Sequence, residues 1–365
     1  MHRSAFYKLF PVPKYLEMPA VGMDISEVSL RFVELVPKGE GFVLGKYGER
    51  AIPQGVIASG AVKKMDILTD VLRKARKDFG ISFVRASLSE AHAYLAEFET
   101  PRVPRRELRG SIELQMEEHI PLPANDIFFD YVNLSDEEKK RRENFHVIVA
   151  AVPKTPVLQY IEAFTAAGLT LLSVEVDADA LVRAVLSPND TEPIMIIEMG
   201  RVKTGIYVVV NRTVRFVSEL DIGARTVALM IEKNLGASPE EAGEALKNAY
   251  GDETPPREIA EIFSLFYSQV KEEVERHYVY WNTHHDLDKT APERIARIVL
   301  AGSQSSLAGL AEYLSSAFRE PVSHANPWVN VSPFNDYIPE ISRNDSLRYA
   351  TAVGLALHPY ERFLI

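Results

Sequence analysis

Hydrophobic positions along the chain switch between a two-residue and a 3.6-residue period, and the switches mark out strands and helices. Residues 21–26 form a short apolar run. An alternating run over 28–35 follows, then 41–47 and a further short strand ending by 53. Residues 66–79 place Ile67, Leu68, Val71, Leu72 and Ala75 on one helical face. Residues 84–88 and 93–98 read as strands. Pro104 suits the start of a helix that runs to about His119, and Pro121 and Pro123 lie where a helix could not continue. Two strands, 127–134 and 145–152, flank a loop of mixed charge at 136–143, which reads as a solvated hairpin tip. A helix over 154–167 ends at Gly168, and a strand (169–176) and a helix (177–186) complete this half.

Residues 187–192 are polar, contain a proline, and make the best candidate boundary. Beyond them the strand pattern returns at 194–199, 204–210 and 215–220. Helices are expected over 223–235, 238–249 and about 256–283. A strand at 298–300 runs into Ala301-Gly302-Ser303, with a helix from there to Phe318 and a last apolar helix over 345–358.

The two halves open alike. Met23-Asp24-Ile25-Ser26 leads into Leu30-Arg31-Phe32-Val33, and Ile197-Glu198-Met199-Gly200 leads into Thr204-Gly205-Ile206-Tyr207. Each is an apolar strand ending near an acid, with a small residue two positions later and a second strand after a polar turn. Similarity at this spacing implies two related domains. Tight hairpins of this kind can offer backbone N–H groups to phosphate oxygens, while the acids hold magnesium directly or through water.

Composition narrows the function. The chain has 365 residues, 46% hydrophobic and 25% charged, enough for two or three packed units. It has no cysteine, which excludes disulfides, thiolate metal sites and a catalytic thiol. Its 41 basic and 51 acidic side chains give a net charge of −10, a poor basis for nucleic-acid binding. No signal-peptide core can be drawn at the N-terminus, and no uncharged apolar run reaches the roughly 18 residues of a membrane helix. A cytoplasmic protein is expected, meeting a membrane only indirectly. Residues 1–19 read as a tail, with Phe6, Tyr7, Leu9 and Phe10 among Arg3, Lys8 and Lys14. That patch suits burial on the protein's own domain or a foot on a membrane or partner.

The middle of the chain is more specific. Residues 107–123 read ELRGSIELQMEEHIPLP and precede Ile127-Phe128-Phe129-Asp130-Tyr131. This resembles the type IV pilus assembly protein PilM family, in which a helix ends in an acidic-aromatic or acidic-His stretch, then Ile-Pro-x-Pro and an Asp-Tyr strand. Residues 21–35 resemble that family's first phosphate loop. Residues 301–314, AGSQSSLAGLAEYL, resemble its nucleoside loop, and Glu244 and Lys247 fall on its Glu-x-x-Lys helix face. The likeness runs from about residue 20 onward.

The resemblance implies an α/β, actin-like (ribonuclease H-like) fold of two lobes with a small inserted α+β subdomain, related to the division protein FtsA. The tail would be 1–20, the first lobe 21–88 with 168–190, and the insertion 89–167. The second lobe would be 191–365, with a helical part at 223–296. It further implies a cytoplasmic scaffold at the inner membrane that binds ATP and magnesium. Such a scaffold docks the N-terminal cytoplasmic peptide of a PilN-like membrane protein and meets other pilus assembly proteins. Asp24 and Glu198 would face magnesium, and Ser26, Ser29, Gly200 and Thr204 the phosphates. Gly223 would lie beneath the nucleotide, and Glu244, Lys247, Gly302 and Ser303 at the nucleoside. No residue is assigned a catalytic role, and any ATP hydrolysis is expected to be slow.

The loops depart from the family pattern. Asp24-Ile25-Ser26-Glu27-Val28-Ser29 replaces Asp-Ile-Gly-Ser-Ser-Ser, Glu198 replaces an Asp, and Gly302-Ser303-Gln304 replaces three glycines. Lost glycines restrict φ and backbone approach, and Glu27 brings a carboxylate toward a polyphosphate. An interaction module that has lost the nucleotide is therefore the alternative. An FtsA-like filament protein is a further one, but residues 358–365 are too short for its amphipathic membrane helix. No P-loop is present. His284-His285-Asp286 with Asp288 reads as a solvated helix cap rather than a metal site. His92 and His119 read as structural or exposed, and Asp130 and Asp177 as a strand end and a helix cap.

Overall fold

The computed structural model describes residues 20–39, 41–89, 93–134, 144–250, 255–284, 294–332 and 337–358. The expectations for 1–19, His92, the 136–143 loop and 285–288 fall outside those residues. Packing divides the chain into two compact units. The N-terminal unit gathers Met18–Arg31 and Gly48–Asp177; the C-terminal unit gathers Phe32–Tyr47 with Ala178–Ile365.

In the N-terminal unit, β1 (Ala20–Ile25), β6 (Phe83–Leu88) and β10 (Thr170–Val176) run parallel, with Ala20 and Thr170 both in register with Phe83. The sheet order is β10-β6-β1-β2-β3, and both β2 (Ser29–Lys38) and β3 (Gly41–Ala51) pass from one unit to the other. Val21, Gly22 and Met23 are buried in succession, the mark of a strand covered on both faces. A two-residue hairpin joins β4 (Ile57–Ala58) to β5 (Ala61–Val62) through Ser59 and Gly60, both at positive φ. It is too short for any period to announce it.

Helix α1 (Met65–Phe79) buries Leu68, Thr69, Leu72 and Ala75 and stops at Gly80, whose φ of 63° only glycine adopts cheaply. The insertion is an antiparallel sheet, order β7-β9-β8, of β7 (Tyr94–Pro101), β8 (Ile127–Asn133) and β9 (Asn144–Pro153). Helix α2 (Arg105–His119) closes its core of Phe98, Leu108, Ile112, Met116, Ile127, Val147 and Val149. Pro104 is the N-cap rather than the first helical residue. Helix α3 (Lys154–Ala166), expected within the insertion, packs on α1 instead.

The C-terminal unit begins earlier than the polar break at 187–192 suggests. Helix α4 (Asp177–Val185) belongs to it from Ala178 onward: it buries every residue from Ala180 to Val185, the charged Arg183 included, and leaves Asp179 exposed. Residues 32–47 join this unit too. Phe42 N–H donates to Val331 O at 2.8 Å, and the Tyr47 and Tyr349 rings meet edge to face at 6.1 Å.

Its sheet has the order β13-β12-β11-β14-β15. The strands are β11 (Ile194–Met199), β12 (Thr204–Val210), β13 (Thr213–Leu220), β14 (Arg297–Ala301) and β15 (Val322–His324). β12 is antiparallel to β11 and β13, whereas β14 runs parallel to β11 and β15. Helices α5 (Ala224–Leu235), α6 (Pro239–Lys247), α7 (Arg257–His284) and α8 (Leu310–Ala317) follow the strands. Phe263, Phe266, Val270, Val274 and Trp281 of α7 enter one core with Met195, Ile197, Ile206, Val208 and Leu300.

The helix expected from 303 to 318 is shorter, since Gly302 and Gly309 sit at φ 84° and 80° and hold 302–309 as turns. The last helix is broken as well. It comprises α9 (Arg343–Ser346), a 3₁₀ turn (Leu347–Tyr349) and α10 (Ala350–Leu357).

Candidate functional site

In the C-terminal unit, three segments distant in sequence are tied together by backbone. The first is the β11–β12 turn, closed by Gly200 N–H donating to Lys203 O at 2.8 Å. The second is the start of α5, where Ala224 and Arg225 N–H donate to the carbonyls of Gly200 and Arg201 at 3.3 and 2.9 Å. Gly223 is glycine because a Cβ there would lie 2.8 Å from Arg201 C and O and from Gly200 O. The third is the loop after β14, where Gln304 N–H donates to Met199 O at 3.0 Å and a Cβ on Gly302 would lie 2.5 Å from that oxygen. Thr204, fully buried, donates its hydroxyl to Ile222 O at 2.6 Å.

The end of α6 joins the same place. Ala308 N–H donates to Ala249 O, and the Tyr250 hydroxyl meets Gln304 Oε1, whose amide in turn donates to Ser303 Oγ at 2.9 Å. Glu244 and Lys247 lie three residues apart on the exposed side of α6. The sequence candidates Glu198, Gly200, Thr204, Gly223, Glu244, Lys247, Gly302 and Ser303 thus lie on segments held to one another. Tyr250 and Gln304 are additions; no spacing rule singles them out.

Glu198 is firmly held. Its Oε2 accepts from the Tyr207 hydroxyl at 3.0 Å and its Oε1 from Thr351 at 3.4 Å. Gly205 stands in register with Glu198 and, lacking a side chain, leaves room for Tyr207 to lie across it. A Cβ on Gly205 would be 2.2 Å from the Tyr207 hydroxyl oxygen. Hydroxyls that orient a carboxylate in this way are the usual outer support of an oxygen-ligated cation. Among the described residues there is no group of three His, Asp or Glu that could hold a metal by itself.

The N-terminal unit carries the other acid. Asp24 lies at the end of β1, with Arg31 Nη1 3.9 Å from its carboxylate and Arg31 in turn bonded to Glu49 at 2.9 Å. Burial pushes the Asp24 carboxyl up to about 6; Arg31 pulls it back down, and Glu49 adds to the rise. The following turn is satisfied from within. Ser26 N–H donates to Ser29 O at 2.9 Å, and Ser26 Oγ accepts from Ser29 N–H at 3.2 Å and Val28 N–H at 3.4 Å. The hydroxyl does the work that a bound phosphate does in a glycine turn. Glu27 is drawn to the β4–β5 hairpin, where its carboxylate accepts from Ser59 N–H at 2.6 Å. Asp24, Glu27 and Asp177 all act on Tyr160, whose hydroxyl is pushed up first by burial and then by these charges. Asp177, read from sequence as a helix cap, is therefore part of this acidic neighbourhood.

In the insertion, the outer edge of β8 is occupied. Arg109 donates to Phe129 O at 2.9 Å with its guanidinium 4.1 Å from the Phe129 ring centroid, and Asp130 Oδ1 accepts from Tyr131 N–H at 2.9 Å. This edge is blunted, as exposed edges commonly are. His119 stacks on Phe98 at 4.3 Å, a structural role. No helix among the described residues is long and apolar enough to cross a membrane.

Residues 22–360 match the family described as type IV pilus assembly protein PilM. A solved structure described as the PilM–PilN type IV pilus biogenesis complex is similar, with a TM-score of 0.78 and 20% identity over 94% of this chain and 99% of that one. The ethanolamine utilization protein EutJ from Carboxydothermus hydrogenoformans gives 0.53 and 14% over 95% and 91%. MreB5 of Spiroplasma citri bound to ADP gives 0.53 and 10% over 95% and 97%. The fold is actin-like α/β.

Proposed function

The chain belongs to the type IV pilus assembly protein PilM family, and from that premise we propose that it is a nucleotide-binding scaffold of the pilus assembly complex. In this reading it sits in the cytoplasm against the inner membrane and holds the cytoplasmic peptide of a PilN-like membrane protein. The observation that carries the reading is the family match over 22–360, joined by the likeness to a chain solved in a PilM–PilN complex.

The nucleotide would be ATP with magnesium. Glu198 and Asp24 offer the oxygen ligands that magnesium takes, and magnesium would supply charge neutralisation of the phosphates. Gly200, Thr204 and Gly223 would lie at the phosphates with Ser26 and Ser29. Glu244, Lys247, Gly302 and Ser303 would lie at the nucleoside, with Tyr250 and Gln304 beside them. The self-bonded Ser26 turn favours weak binding, and slow hydrolysis at most. ATP with magnesium is expected to raise the melting temperature, because a ligand of the native state alone stabilises by mass action. Asp24→Ala is expected to remove the shift. No shift at millimolar ATP would leave the nucleotide-free interaction module.

The partner peptide would dock on the insertion. With β8 capped by Arg109 and Asp130, β7 is the sheet edge that suits addition of an extended chain. Hydrogen exchange is expected to show new protection over Tyr94–Pro101 when the peptide is added. Protection confined to Ile127–Asn133 would refute this placement.

A further inference from the structure

Helix α2 carries its charges in the order that a lone helix disfavours. Arg105, Arg106 and Arg109 stand near its start, and Glu113, Glu117 and Glu118 near its end. The partial positive charge at a helix N-terminus and the partial negative charge at its C-terminus favour the reverse, and Glu107 and His119 offset this only in part. Some of these groups are used within the insertion. Arg109 is held by the Phe129 carbonyl and ring, and Glu117 Oε1 accepts from Ala124 N–H at 3.1 Å. Arg106 pairs with its neighbour Glu107 at 3.2 Å, both well exposed. Glu118 is exposed and makes no ion pair among the described residues.

The outward face of α2 also suits a close neighbour. The core of the insertion takes Leu108, Ile112 and Met116, which accounts for one side of the helix only. On the other side Leu114 is 86% exposed, more than any other large apolar side chain among the described residues. One turn before it Gly110 is exposed too, and a Cβ there would meet nothing within 4 Å. A glycine inside a helix weakens it, and nothing within the chain crowds this position. It leaves a notch beside an unburied leucine. Residues 106, 110, 114 and 118 are four apart, so they form one ridge that runs cation, notch, apolar knob, anion.

That ridge is complementary to itself. A two-fold axis sets two copies antiparallel, and each contact then occurs twice with the partners exchanged. Leu114 of each copy enters the notch at Gly110 of the other, and Arg106 of each faces Glu118 of the other. We propose that the outward face of α2 is a docking surface for the same face of a second copy of this chain. The contact is about three helical turns long, smaller than a standard interface, so the dimer is a weak one.

Sedimentation equilibrium of the full chain from about 1 μM to 1 mM tests this. The samples are the unaltered chain, Leu114→Asp, Gly110→Leu, Arg106→Glu, Glu118→Arg and the double reversal Arg106→Glu with Glu118→Arg. Circular dichroism checks that each folds, as exposed positions should allow. The unaltered chain is expected to dimerise within that range. Leu114→Asp and Gly110→Leu are expected to raise the dissociation constant roughly tenfold or more. Each single charge reversal is expected to raise it roughly threefold or more, and the double reversal to recover most of that, because the ends are again opposite in sign. A chain that stays monomeric throughout overturns the proposal. A dimer that Leu114→Asp leaves intact places the interface elsewhere and overturns it too. A double reversal no tighter than either single rejects the antiparallel register, and with it the proposal. A monomer in which Leu114→Asp instead weakens the PilN-like peptide would assign the ridge to that peptide, and the proposal would be wrong.

Discussion

Replacing Gly354 by alanine strikes a close approach of two helices in the C-terminal unit. Gly354 of α10 lies so close to α4 that an added Cβ would sit 1.7 Å from Ala180 O and 2.5 Å from its carbonyl carbon. An ordinary carbon–oxygen contact is about 3.3 Å, so the helices must part by roughly 1.5 Å. α10 is buried along its length and α4 from Ala180 to Val185, and the parting opens their interface. It also pulls on Arg183, whose buried Nη1 donates to Gly354 O at 3.0 Å. Overpacking costs about 1–3 kcal/mol, and weakening a buried bond from a charged donor adds about 1–3 more. A loss of about 2–6 kcal/mol is expected. Urea unfolding followed by circular dichroism measures it, with Gly243→Ala as the control. A Cβ on Gly243 in α6 meets nothing within 4 Å, so that change is expected to stabilise by about 0.5–1 kcal/mol through helix propensity. Gly354→Ala within 1 kcal/mol of the unaltered chain would refute this account of the α4–α10 crossing.

Other substitutions probe other parts. Asn330→Ala is expected to cost about 2 kcal/mol in the same assay, because its amide donates to Arg183 O and Leu186 O at 2.8 and 2.7 Å and two buried carbonyls lose their donor. His277 lies beside Phe216 with Nε2 3.1 Å from Ser218 Oγ, and burial lowers its pKa from the ordinary 6.5. Its contribution is therefore full above pH 6.5 and is lost as pH falls through the lowered value, so His277→Asn should lessen the fall in urea midpoint between pH 7 and pH 5. Ser26→Gly frees Val28 and Ser29 N–H, and calorimetry is expected to show tighter ATP binding at a stability cost of about 1 kcal/mol; unchanged or weaker binding would mean that those donors do not meet phosphate.

Much of the architecture is legible because burial leaves periodic traces. The runs at 194–199 and 204–210 are buried almost throughout, and residues 66–79 show a clean apolar stripe. What escapes is whatever depends on distant partners. Nothing local to Asp177–Val185 says that it packs with Gly354 rather than with the strand before it. The apolar spacing of 303–318 suggests one helix, but backbone conformation at Gly302 and Gly309 overrules it. The candidate site divides the same way. Acid-ending strands mark Asp24 and Glu198, whereas the groups that hold them, Arg31, Glu49, Tyr207 and Thr351, come from cross-strand register or from 153 positions away. Ser26 was readable as a lost glycine, but not as the group that fills its own turn.

As a pilus assembly scaffold, the chain is proposed to capture a membrane partner by its cytoplasmic peptide. Calorimetric titration of the full chain with the N-terminal cytoplasmic peptide of a PilN-like protein tests it most directly. The account predicts saturable binding of one peptide per chain, lost when the peptide sequence is scrambled. No heat up to millimolar peptide, or equal heat from the scrambled sequence, would contradict it.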